Sequence, residues 1–114
     1  MPKEYTTEEV RQKVIEHVFH MVEYWDTLKG EYDQRYRMEG LVHSIFVMLD
    51  GGSATFPGFV VAPVPHPTDK DYRIEQGEDY FPENHEAAEN IKADIGGCLH
   101  ELMNVYDPYK NKEE

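Results

Sequence analysis

A chain of 114 residues with 39% apolar and 12% aromatic residues can bury a core without disulfide or metal staples. Its formal net charge is −12, from 23 acids against 11 bases. That balance argues against direct binding to a nucleic-acid backbone, which depends on Lys and Arg. The single cysteine, Cys98, cannot form an internal disulfide, no stretch approaches the ~20 apolar residues of a membrane span, and the polar start MPKEYTTEEVRQK lacks a signal-peptide core. The resulting expectation is a cytoplasmic protein of one domain, 1–114, with frayed ends at 1–5 and 108–114 and no membrane contact. The acids are unevenly placed: residues 51–68 carry no charge, whereas residues 75–94 carry seven acids and one base.

The first helix is expected from Thr6, where Thr6-Thr7-Glu8-Glu9 has the form of a capping box. Val10, Val14, Val18, Met21, Val22, Trp25 and Leu28 then keep helical spacing, and Gly30 is a natural stop. A second helix is expected near Asp33, completing a helical hairpin. Its stripe of Met38, Leu41, Val42, Ile45 and Leu49 falls at i, i+3, i+4, i+7 and i+11, and Gly51-Gly52 supplies a left-handed stop. The apolar arc is wide, which marks this segment as the central core helix. Gly40 and Ser44, one turn apart, form a notch where another element can approach closely.

Four prolines between residues 52 and 68 exclude a helix there. Residues 59–62 read as a short edge strand between Pro57 and Pro63, and residues 71–75 alternate like a second one, with Gln76-Gly77 as a turn signal. A last helix is expected from the spacing of Ile91, Ile95, Leu99, Leu102 and Tyr106, with Cys98 on its apolar side and His100 facing water. Gly96-Gly97 either kinks it or lets Asp94 cap a new short helix. The fold class expected is α+β: three main helices, a hairpin plus a C-terminal helix, with a two-stranded β-ribbon.

Six histidines raise a metal reading. Glu39 and His43 lie four apart on the second helix and share a face, and His66 follows in a proline-stiffened loop. A metal-binding protein or metal-dependent hydrolase using Glu39, His43 and His66 is therefore the alternative function. Against it, Glu39 is a ready hydrogen-bond partner for a border histidine, and the chain has no HExxH, no paired CxxC and no second helical Glu/His pair of the di-iron kind. Glu16 and His20 repeat the spacing on a polar face. No metal or cofactor is assigned. Nucleophilic catalysis has no better support: Cys98 reads as a core cysteine, Ser53 lacks the strand–nucleophile–helix setting, and neither GxxxxGK[ST] nor GxGxxG occurs.

The residues RMEGLVHSIFVMLDG, then PGFVVAPVPHPTDKDYRIEQGEDYFPEN, then DIGGCLHELM, resemble a family of small uncharacterised bacterial proteins also carried by phages and prophages. The resemblance implies a bacterial cytosol or a mobile element, and an accessory or inhibitory role; it carries over no activity and no functional residue. The expected function is thus a non-enzymatic interaction module that binds a basic protein surface. Tyr72, Glu75, Glu78, Asp79, Tyr80, Phe81, Glu83 and Glu86 form the expected partner-binding set. A homodimer through the edge strand 58–62 is a further expectation.

Overall fold

The computed structural model describes residues 2–84 and 90–109. Their helices are α1 (Thr7–Thr27), α2 (Gln34–Leu49), α3 (Asp69–Glu75) and α4 (Leu99–Leu102). No described residue lies in a strand, so the expected α+β class with its β-ribbon is corrected to all-α. The chain falls into two compact units, Met1–Val47 and Met48–Glu114, divided near the end of α2.

The first unit is the expected hairpin. The Thr6 hydroxyl accepts the Glu9 backbone N–H at 3.2 Å while the Thr6 N–H donates to the Glu9 carboxylate at 2.9 Å, the reciprocal capping box. That carboxylate also pairs with Lys3, and the Lys3 bond, with the two from Thr6, holds its pKa below the ordinary glutamate value. α2 begins after Asp33, whose carboxylate accepts the Tyr36 N–H at 2.8 Å. The notch meets its guest. The indole N–H of Trp25 donates to the Ser44 hydroxyl at 3.0 Å. At Gly40 an added Cβ would stand 2.5 Å from the benzo edge of the same ring. Tyr24 and Tyr36 meet the indole edge-on, with ring centroids 5.3 and 6.3 Å away, so it is held on several sides.

This packing corrects the expectation that α2 is the central core helix. The hairpin closes on the Gly40–Ser44 side of α2, and Leu41, Ile45 and Leu49 of the stripe are only half-buried. Met38 and Val42, two members of that stripe, are left exposed, and Met48 is the only described residue fully buried, at 1% exposure.

In the second unit, residues 71–75 belong to helix α3 rather than to a strand. Five alternating residues cannot decide between the two periods, and Tyr72 and Ile74, the apolar half of the alternation, are both exposed. Helix-specific contacts decide instead: Asp69 and Asp71 sit in the first turn, and Arg73 donates to Asp69 one turn back at 3.0 Å. The Gln76-Gly77 signal is genuine but ends a helix. The Glu78 N–H reaches the Arg73 carbonyl at 2.8 Å and the Gly77 N–H reaches that of Ile74 at 3.1 Å, with Gly77 at φ 73°, the Schellman arrangement.

Residues 58–62 join no ladder, so the edge strand expected there is not formed. The Phe59 N–H donates to the Leu49 carbonyl at 2.9 Å, the Val61 carbonyl accepts from Ile95 at 2.7 Å, and the Val61 N–H goes to the Asp94 carboxylate. The long C-terminal helix is also corrected. Only Leu99–Leu102 is helical, and Ile91, Ile95, Leu102 and Tyr106 of the expected buried stripe are exposed. Two helix-interior glycines cost about 2 kcal/mol relative to alanine, and Gly96 is needed where it stands because a Cβ there would lie 2.4 Å from the Phe59 carbonyl oxygen. Cys98 is exposed rather than in a core, and it occupies the N-cap position of α4.

Gly40→Ala tests the notch. Alanine raises helix propensity by about 1 kcal/mol, yet its methyl group must displace a hydrogen-bonded indole, a cost of roughly 1–3 kcal/mol. The expected result is a lower unfolding midpoint together with a red-shifted emission from Trp25, the only tryptophan. A stabilised variant with unchanged emission would show that the contact does not constrain the hairpin.

Candidate functional site

Most of the partner-binding set gathers around α3. Tyr72 lies on the helix, and Glu78, Asp79, Tyr80 and Phe81 follow directly after its glycine stop, all of them exposed; Glu75 is exposed at the end of α3, and Glu83 is half-buried. Glu86 lies outside the described residues. The segment's two bases are directed inward on their own neighbours. The Lys70 ammonium stands 5.2 Å from the centre of the Tyr80 ring, and the Arg73 guanidinium stands 5.7 Å from that of Phe81 while donating to Asp69. Among the described residues no Lys or Arg forms an ion pair with Glu75, Glu78, Asp79 or Glu83. The segment therefore offers open carboxylates beside three aromatic rings. Asn84 closes its far end: the side-chain amide donates to the carbonyls of Pro63 (2.8 Å) and Lys92 (2.9 Å) and accepts the Lys92 N–H at 2.8 Å.

The histidines expected as metal candidates are otherwise engaged or not gathered. Glu39 pairs with Arg35 at 2.8 Å. Its helix neighbour His43 is exposed. His66 accepts the Thr68 backbone N–H on Nδ1 at 3.2 Å, with the Thr68 hydroxyl 2.9 Å from the same nitrogen. Among the described residues no three His, Cys, Asp or Glu side chains are grouped so as to hold a metal ion.

One polar centre had no signal in sequence spacing. His100, expected to face water, has Nδ1 2.6 Å from the Asp50 carboxylate, and its side chain is 28% exposed. A carboxylate only accepts, so Nδ1 carries the hydrogen. Asp50 also accepts backbone N–H groups from Gly97 and His100, each at 2.8 Å, and its own side chain is 1% exposed. Burial alone would push its pKa up. The backbone bond from His100, the ring bond from His100 and the backbone bonds from Leu99 and Gly97 outweigh that and hold it down at about 2. A smaller version stands nearby at Asp94, where the backbone N–H groups of Val61 and Gly96 lower the pKa. These two aspartates take up N–H groups that a continuous helix would have used internally. The arrangement pins the chain around α4.

No helix among the described residues is long and apolar enough to cross a membrane. No protein-family model, curated protein or solved structure matches the chain.

The Asp50 centre predicts a pH signature. A carboxyl whose folded pKa lies below its unfolded value contributes stability in full above the ordinary aspartate value of 3.8, and loses it as pH falls from there through about 2. Asp50→Asn keeps the shape but removes the charge and turns one acceptor into a donor. It is expected to lower stability at pH 7 by roughly 2 kcal/mol and to flatten the decline between pH 4 and 2. Urea unfolding of both proteins across pH 2–7 measures this; parallel curves would remove Asp50 as the source.

Proposed function

We propose that this chain is a non-enzymatic interaction module that offers the acidic, aromatic surface around α3 to a basic surface on another protein. The observation that carries the reading is the disposition of charge in residues 69–83. Lys70 and Arg73 lie over Tyr80 and Phe81, so they do not neutralise Glu75, Glu78 and Asp79, which stand exposed beside those rings. A guanidinium is the partner group best suited to such a surface, because it forks onto carboxylates and stacks on aromatic faces at once. The overall charge of −12 adds long-range attraction toward a basic partner. Resemblance to proteins carried by phages fits an accessory or inhibitory role, in which a partner is occupied rather than a substrate turned over.

An arginine-rich peptide is the probe. It is expected to bind with an affinity that falls tenfold or more, roughly, between 50 and 300 mM salt, since exposed charges are screened within ~10 Å at ordinary ionic strength. The triple variant Glu75→Gln, Glu78→Gln, Asp79→Asn should lose about as much at low salt, and Tyr80→Ala with Phe81→Ala should weaken binding at both salts. Titration by NMR gives affinity and location together. Affinity indifferent to salt and to all five substitutions would overturn the reading.

A further inference from the structure

The hairpin leaves large apolar side chains in water on more than one strip of its surface. On α1, Ile15, Phe19 and Val22 are spaced i, i+4, i+7 and are between 40% and 67% exposed. On α2, Met38 and Val42 are 52% and 42% exposed. At about 100° per residue, the α1 strip lies about a quarter turn from Trp25, the residue that meets α2. Met38 lies a little over a third of a turn from the Gly40–Ser44 notch that receives Trp25. Because the two helices of a hairpin run in opposite directions, both displacements lead to the same side. Val42, opposite the notch, carries the patch further around α2. A helix with one neighbour in place and a second apolar strip about a quarter turn away has the geometry of a member of a four-helix bundle.

We propose that this face is a self-association surface, and that a second copy of the chain covers it, two hairpins closing into a four-helix bundle about a two-fold axis. Area supports a second copy. Five side chains opening on the order of 100 Å² each give roughly 500 Å² per copy, so a pair buries about 1,000 Å² from these residues alone, and the groups between them carry the interface into the range of specific dimers. Three ion pairs lie along the hairpin, Arg11 with Glu8 at 3.5 Å, Lys29 with Asp26 at 3.9 Å and Arg35 with Glu39 at 2.8 Å, while Glu16 and Glu23 leave the border of the α1 strip mildly acidic. A copy of the same apolar face is the occupant that matches it in area, at the cost of a like-charge repulsion that salt screens.

The proposal has its own salt response. Each copy carries −12, so association works against like-charge repulsion that salt screens, while burial of apolar surface is not weakened by salt. Sedimentation equilibrium on the full chain should therefore give twice the 13.3 kDa chain mass, with a dissociation constant that falls as salt rises from 50 to 500 mM. Phe19→Glu, and separately Ile15→Glu with Met38→Glu, should weaken association by roughly 100-fold or more, because each variant places charge in an apolar contact. Glutamate is at home on an exposed helix face, and unchanged far-UV circular dichroism verifies that the hairpin persists. Val64→Glu, exposed in the second unit, should dimerise like the parent chain. A mass of 13.3 kDa up to about 100 µM at both salts would overturn the proposal, whatever else the face binds. So would a dimer that salt dissociates, or one that Phe19→Glu leaves intact.

Discussion

Trp25 lies against Gly40 so closely that no other residue fits there without displacing the ring, and its N–H is held by Ser44 one turn on. That contact settles which side of α2 faces α1. A helix with apolar residues around much of its circumference can pack through several sides, and bulk alone selects none of them. Here the smallest residues win, because they admit the largest ring and satisfy its one polar atom. Met38 and Val42 stay outside the hairpin as a consequence, although they belong to the most regular apolar stripe in the chain.

A different competition governs the second unit. Backbone N–H groups near residues 96–100 can bond within a helix or to a carboxylate, and Asp50 and Asp94 supply ionised acceptors at 2.8–2.9 Å. Bonds to a charged acceptor are stronger than neutral backbone bonds, and the glycine pair weakens the helical alternative. The result is a turn-rich segment held by hydrogen bonds to charged acceptors, one of them buried, Asp50. Asn84 does the same with a neutral amide, taking up three backbone groups from Pro63 and Lys92.

The two proposed surfaces are physically unlike. The one around α3 works through unneutralised carboxylates and exposed rings, and salt opposes it. The proposed hairpin contact rests on apolar area, and salt assists it by screening the like charge of the two copies. A dimer built on the hairpin also carries two copies of the acidic surface, which raises its apparent affinity for any partner with repeated basic sites.

The amino-acid sequence by itself determined whatever is local in the chain. The capping box at Thr6, the start of α2 after Asp33, the left-handed stop at Gly51 and the Gly40–Ser44 notch are each written in a few adjacent residues, and each is present. The same held for the turn at Gln76-Gly77, although a glycine stop reads alike after a strand or a helix. What tertiary structure alone decided was long in range. Asp50 reaches His100 across fifty residues, and no spacing rule anticipates a carboxylate arriving from so far away. Likewise Ile15 and Phe19 lie outside the apolar line that runs from Val10 to Leu28, but their exposure follows only from where α2 comes to rest. Periodicity reports which residues share a face. It does not report what, if anything, covers that face, because burial is a property of pairs of elements and not of one.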